Sequence, residues 1–315
     1  MTNPILSLTA WIAQRMPMEA RRAMYRIRPL AGLVRRGLNL AAPHGLTEVT
    51  IAAGDLAGLK MSLDLHSEKD YWLGTYEPEL QLAIADLVQP GMIVYDVGAN
   101  IGYVSTLLAR RVSERGRVFA FEALPDNLER LRFNLELSGF SRIVDVLPVA
   151  VVDGDGPVRF LVGPSGGMGK VRGSAGRQDV SYTEELEVTG ISLDSFVYQK
   201  RNPAPQVIKM DIEGGETLAL SGMRRLLNET HPLILLELHG PEAARHAWDI
   251  LNEAGYRIYR MQPGYPEAPS LATLDWKSYL VAAPSEPPGA LRQRDRDGDL
   301  LAASFAAIRE EFQRE

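Results

Sequence analysis

VYDVGANIGYVS, residues 94–105, is the stretch on which the fold turns. Ile93 to Val97 is a short apolar run carrying one acid, Asp96; glycines follow at 98 and 102, and helical spacing of apolar residues runs from Gly102 to Val112. A strand, a glycine turn and a helix in that order open a βαβ unit. The alternation continues downstream. Strands are expected at Arg117 to Phe121, Val144 to Val152, Val207 to Asp211, Leu233 to Leu238 and Arg257 to Tyr259. Helices are expected at Asp126 to Ser138, Glu216 to Leu227 and Glu242 to Ala254. The early strands are near-continuous apolar runs, as strands covered on both faces must be. The pattern predicts an α/β fold: a doubly wound, mostly parallel sheet with right-handed crossovers.

Outward from this core the rhythm changes. Residues 46 to 65 read as a β-hairpin around Gly54 and Gly58, and Pro78 opens a helix that ends at Gln89-Pro90-Gly91. Between 153 and 190 a hairpin (Val158 to Val162, Glu185 to Val188) surrounds GPSGGMGKVRGSAGR, residues 163–177. No helix follows this loop directly, so it is expected to be a mobile surface loop and not a phosphate cradle. Residues 1 to about 42 look helical, with Arg15, Arg21, Arg22, Arg26, Arg28, Arg35 and Arg36 against the single acid Glu19. A helical arm packed on the main domain accounts for them; peripheral contact with an anionic membrane or a lipid-linked substrate is the alternative. The implied organisation is an N-terminal helical arm, hairpin and lid over 1–78, a main domain over 79–284 and a tail over 285–315. In that tail Asp295, Asp297 and Asp299 resemble the start of a calcium loop, but Leu300 and Ala306 stand where it needs glycine and glutamate.

Composition narrows the partners. A 315-residue chain with 45% apolar and 23% charged residues is ordinary globular protein. Its net charge of −6 speaks against a nucleic-acid partner, and the lack of cysteine removes disulfides, thiolate zinc sites and cysteine nucleophiles. No apolar run is long enough to cross a bilayer, and the first residues lack the charge and cleavage pattern of a signal peptide. A cytoplasmic protein acting on a small molecule is expected.

The turn after the first strand should hold a ligand, because open α/β sheets bind at the carboxyl ends of their strands. Glu122 ends the second strand twenty residues after Gly102, where a carboxylate accepts ribose hydroxyls. Charge then separates the nucleoside cofactors. The glycine spacing is G-x-x-x-G, with Asp96 two residues before the first glycine. A carboxylate there is poorly placed beside the pyrophosphate of NAD and well placed beside the ammonium and sulfonium of S-adenosylmethionine, whose own carboxylate suits the start of the following helix.

Residues 96–105 (DVGANIGYVS), 121–128 (FEALPDNL) and especially 209–216 (KMDIEGGE) resemble the FkbM family of methyltransferases, over about residues 70 to 260. The resemblance implies a Rossmann-like class I fold and an S-adenosylmethionine-dependent enzyme, usually methylating a hydroxyl of a sugar, glycolipid or polyketide. It places Asp96, Gly98, Asn100 and Glu122 around the cofactor. The family often has proline where Ala123 stands, and asparagine near Pro148-Val149-Ala150.

A sugar hydroxyl needs a base or a metal before it attacks a sulfonium methyl. The fourth strand ends in Lys209, Asp211 and Glu213 on one side, and the fifth in Glu237 and His239. With Asp211 shared between cofactor and chemistry, these are the candidate catalytic residues. His239 is the expected general base near neutral pH; alternatively Asp211, Glu237 and His239 hold a divalent ion such as Mg²⁺. Tyr71, Trp72 and Tyr76, in a segment with His66, Asp70 and Glu77, suit sugar recognition or a lid, or else brace the N-terminal arm. Two other functional classes remain to be separated. A nucleotide-dependent oxidoreductase would want tighter glycine spacing and no acid at 96, and a non-catalytic module would bind the cofactor without turnover. Asn202-Pro203-Ala204-Pro205 resembles the motif of amine-directed nucleic-acid methyltransferases, but it precedes the fourth strand and reads as a linker.

Overall fold

The computed structural model describes residues 42, 44–163, 169–176, 180–275 and 277–285. The arginine-rich arm before residue 42 and the aspartates of the tail lie outside the described residues. Strands β1 (Leu46–Thr50) and β2 (Lys60–Asp64) form the expected antiparallel hairpin. A single turn of helix, α1 (Lys69–Trp72), leads to α2 (Pro78–Leu87), which starts at the proline with its φ already set.

Then come β3 (Ile93–Val97), α3 (Tyr103–Val112), β4 (Arg117–Glu122), α4 (Pro125–Ser138) and β5 (Val144–Pro148). Next are the short strand β6 (Ala150–Val151), β7 (Gly156–Val162), β8 (Lys170–Val171) and β9 (Glu184–Ile191). After a π-helical turn at Ser195–Gln199 the chain forms β10 (Val207–Met210), α5 (Glu216–Ser221), α6 (Arg224–Glu229), β11 (Leu233–His239), α7 (Pro241–Glu253), β12 (Arg257–Arg260) and β13 (Lys277–Ala283).

The central sheet has seven strands in the order β12-β13-β11-β10-β3-β4-β5. It is parallel from β11 through β5, with β13 antiparallel between β12 and β11. This is the doubly wound, Rossmann-like class I arrangement. Alternation along β3 sends Val94 into the layer beneath α2 and α3, and Tyr95 and Val97 into the layer shared with α5, α6 and α7. The chain leaves β3 toward β4 on one side and returns to β10 on the other, so the crevice for a ligand opens between the tips of β3 and β10.

Three expected boundaries are corrected and one strand is added. The strand expected over Val144 to Val152 divides at Pro148–Val149, and its second half joins a separate four-stranded sheet, β6-β9-β7-β8. Pro148 faces Glu122 in the last register position and has no N–H to continue the ladder. The helix expected over Glu216 to Leu227 breaks at Gly222 because Asp194 caps a new start, accepting from the amides of Arg225 at 2.9 Å and Leu226 at 2.8 Å. The fourth strand ends at Met210, leaving Asp211 in the turn beyond it. Finally β13, unread in the sequence, fills the gap between β11 and β12.

Candidate active site

Gly98 marks the crevice. A Cβ there would stand 1.9 Å from the carbonyl oxygen of Asp211, and its φ of +80° is left-handed, so only glycine lets the turns after β3 and β10 touch. The requirement comes from the protein's own backbone before any ligand enters. Gly102 is also explained by packing, since a Cβ would meet Leu131 of α4 at 2.6 Å.

Glu122, at the tip of β4, lines this crevice with Gly98, Asn100, Leu124, Phe160, Asp211 and Glu213. Its Oε2 accepts the Asn100 amide at 2.8 Å, and Oε1 accepts those of Ala123 at 3.0 Å and Leu124 at 2.8 Å. Burial pushes its pKa up and these amides oppose the shift. The Asn127 side chain donates to it as well, so the carboxylate is fixed at the mouth of the cleft. Phe160 and Val171 of the small sheet, not among the residues singled out in the sequence, wall the cleft beside Glu122. Glu122→Gln turns an amide NH2 against a backbone donor, so it should lower the melting temperature and, by calorimetry, weaken S-adenosylmethionine binding about tenfold or more.

Asp96 does not line the cleft. It is wholly buried, Oδ2 accepts the Ser105 hydroxyl at 2.6 Å, and Oδ1 lies 3.2 Å from Lys209 Nζ. The two residues are register partners across β3 and β10. Lys209 also donates to the Gly98 carbonyl at 2.8 Å. Burial opposes its charge, but Asp96, Asp211 and Glu77 hold its pKa above the ordinary lysine value. Asp96 and Lys209 therefore shape the glycine turn from behind. The expectation that Asp96 itself faces a cationic ligand is corrected, and the acids on the cleft are Glu122, Asp211 and Glu213.

The other acids converge on His239 at the tip of β11, where its ring is 1% exposed. Nδ1 lies 3.1 Å from Glu216 Oε1, and Nε2 lies 3.0 Å from Glu237 Oε1, 3.8 Å from Glu213 and 3.9 Å from Asp211. Burial works against a charged ring, but the bonds to Glu216 and Glu237 and the charge of Asp211 push its pKa up to about 10. The four carboxylates thus favour the charged form of the ring. Burial and Glu237 push Asp211 up to about 7, the mark of crowded, partly uncompensated charge. Oxygens of Asp211 and Glu237 and a ring nitrogen of His239 lie within 4.8 Å of one another.

Glu216 and Lys277 were not among the sequence-based candidates. Glu216 closes the KMDIEGGE run and is wholly buried. Lys277, on the unread strand β13, pairs with Glu237. The aromatic segment divides. Trp72 is core, donating from Nε1 to the Thr50 carbonyl at 3.1 Å. The Tyr71 and Tyr76 rings pack 4.3 Å apart, and Tyr71 lies 4.8 Å from Tyr103 at the start of α3. Asp211 is among the charges acting on both hydroxyls. The glycine-rich loop is also tied to the site: a Cβ on Gly176 would stand 2.4 Å from the Glu213 carbonyl oxygen.

The chain matches the Methyltransferase FkbM domain over residues 96–258. It is 30% identical over 166 residues to the hexuronic acid methyltransferase AglP of Haloferax volcanii, covering 51% of this chain and 62% of that protein. It is 49% identical over 59 residues to a protein-L-isoaspartate O-methyltransferase of Aeropyrum pernix, covering 19% and 23% respectively. The chain thus spans less than two thirds of the length of these relatives. Among solved structures it is similar to the FkbM methyltransferase of Methylobacillus flagellatus, with TM-score 0.39, 19% identity, and coverage of 70% of this chain and 53% of that one. Among the described residues no helix is long and apolar enough to cross a membrane.

Proposed function

The chain belongs to the FkbM family of methyltransferases, and from that premise we propose that it transfers the methyl group of S-adenosylmethionine to a hydroxyl oxygen of a sugar-type small molecule. The observation that carries this reading is the gathering of Asp211, Glu213, Glu216 and Glu237 around His239, beside the crevice that Glu122 lines. Glu122 accepts from a ribose hydroxyl, and the acids beyond it face the sulfonium end. A site this rich in carboxylates repels an anionic acceptor oxygen and favours a neutral hydroxyl. The name of the H. volcanii relative supports the sugar class.

Asp211, Glu237 and His239 offer two oxygens and one imidazole nitrogen, a donor set that suits Mg²⁺ or Mn²⁺. Glu216 at Nδ1 would orient the ring so that Nε2, on losing its proton, would face the ion. A cation held there would supply Lewis acidity to the acceptor hydroxyl, lowering its pKa. Glu213 lines the cleft from a left-handed turn, φ 52°, and is placed to take the hydroxyl proton. The acceptor oxygen attacks the methyl carbon, the carbon–sulfur bond breaks, and its electron pair stays on sulfur to give S-adenosylhomocysteine. Tyr71 and Tyr76 wall the acceptor end.

The test is a methyl-donor turnover screen against neutral sugars, uronic acids, glycolipids and polyketide alcohols, run with and without EDTA, with NMR of the product. Methyl ethers, lost on chelation and restored by MgCl₂, are expected. Methyl esters would overturn the hydroxyl assignment, and binding of NAD in place of S-adenosylmethionine would overturn the whole reading.

A further inference from the structure

Residues 169–176 of the glycine-rich loop connect two parts of the cleft wall. Gly169 and Val171 line the cleft, and Val171 faces Phe160 in the β7–β8 register. A Cβ on Gly169 would stand 2.4 Å from Cε1 of Phe160, so the chain here lies directly on that ring. Lys170, between them, turns to the other face of β8. It is 5% exposed, and its Nζ donates to the Ala175 carbonyl at 3.2 Å. Burial opposes its charge, and Glu213 and Glu242 support it. The Ser174 hydroxyl donates to the Val171 carbonyl at 2.7 Å and closes the turn.

The end of this turn meets the turn after β10 backbone on backbone. A Cβ on Gly176 would stand 2.4 Å from the carbonyl oxygen of Glu213, and one on Gly214 would stand 2.1 Å from that of Ala175. Both glycines are left-handed, with φ of +92° and +103°. Each turn therefore fills the space that a side chain on the other would take. Glu213 sits inside this contact at φ 52°, a conformation that a glutamate holds only where its surroundings impose it, and it lines the cleft. Gly173, in the same turn, differs: its φ is +85°, but nothing stands within 4 Å of its Cβ position. The interlock belongs to position 176 and not to the turn as a whole.

We propose that residues 169–176 are a positioning strap for Glu213: braced on the cofactor wall through Gly169 and Val171, they hold the 213–214 turn through Gly176 and so fix the Glu213 carboxylate toward the acceptor. Gly176 acts by leaving room for the Glu213 carbonyl, and Lys170 by holding that of Ala175. This rests on the S-adenosylmethionine reading and on Glu213 as the group that takes the hydroxyl proton. It gives the small sheet a part in the reaction, since the element that walls the cleft beside Glu122 also sets the acid at the other end.

The test compares Gly176→Ala and Lys170→Met with Gly173→Ala on the full chain. Gly173→Ala carries the same left-handed cost as Gly176→Ala without the collision, and Lys170→Met releases the Ala175 carbonyl without adding atoms to the interlock. With S-adenosylhomocysteine bound, hydrogen exchange over residues 211–216 should be about tenfold faster in Gly176→Ala and Lys170→Met than in wild type or Gly173→Ala. Affinity for S-adenosylhomocysteine by calorimetry should stay close to wild type in all three. On the acceptor found by the turnover screen, Gly176→Ala should lower kcat by about 10²-fold with little change in KM for S-adenosylmethionine. In a Glu213→Gln background the same change should lower kcat by less than about threefold, because no carboxylate is left to misplace. Equal exchange in Gly176→Ala and Gly173→Ala, or an equal loss of kcat with and without Glu213, overturns the proposal. Two other outcomes strike the readings beneath it. Wild type that does not bind S-adenosylhomocysteine removes the cofactor reading, and wild-type turnover in Glu213→Gln removes Glu213 as proton acceptor; this inference falls with either.

Discussion

Replacing His239 with alanine is expected to lower methyl transfer by at least about 10³-fold while the dissociation constant for S-adenosylmethionine changes by less than about threefold. The split follows from where the ring sits. His239 is absent from the walls of the cofactor crevice and is enclosed by Glu213, Glu216, Glu237 and Asp211. Deleting it leaves Glu122 and the glycine turn in place, but removes the ring that separates the acids and leaves them facing one another. A pH series in EDTA provides an independent check. The imidazolium is favoured in the fold, with a pKa raised from 6.5 to about 10. The stability it contributes is fully present below pH 6.5 and is lost as pH rises through about 10. Wild type should therefore lose melting temperature across this alkaline window, and His239→Ala should show a flatter profile. Turnover within tenfold of wild type in the variant would remove His239 from the chemistry.

Lys209→Met should be the most destabilising single change at the site, by about 3–5 kcal/mol, because it leaves Asp96 charged and unpaired in the interior. Lys209 is 3% exposed and Asp96 is wholly buried, so water cannot replace the lost partner. The Gly98 carbonyl loses its donor as well. For a domain of this size the loss corresponds to a fall of about 10 °C in melting temperature. Asp96→Asn in the same background should restore part of it, since the remaining Ser105 contact needs only an acceptor. A fall below about 1 kcal/mol in denaturant titration would show that Asp96 is satisfied without lysine. In the proposed reaction the pair acts by holding the turn beneath the cofactor, so the double variant should bind S-adenosylmethionine more weakly even where it is folded.

Asp96 pointed to S-adenosylmethionine over NAD although it does not line the cleft. Asp96 at the end of a strand before two glycines is legible as a site acid. Its partner is 113 positions away in sequence, on β10, and the register that joins Lys209 to Asp96 exists only once the sheet is built. Trp72 was misjudged for a similar reason: aromatic residues in a lid and in a brace look alike until Thr50 is found beneath the indole. Glu77 carried a faint local signal, an acid before a proline inside an aromatic cluster, but nothing in its neighbourhood indicates that it points at β10 and β11.

The sequence by itself determined the βαβ rhythm, the crevice after β3, Glu122 as an acid of that crevice and the convergence of acids with His239 at two strand tips. Those features are local: period-two and 3.6-residue spacing, glycine turns, and the rule that parallel strands present their carboxyl ends together. Tertiary structure alone decided which charges cancel. It withdrew Asp96 and Lys209 into the interior, set four carboxylates around His239, and brought Glu77 and Lys277 to the site from segments on either side of it. Net charge at an active site depends on distances and burial between residues remote in the chain, and Coulomb energies change severalfold with both.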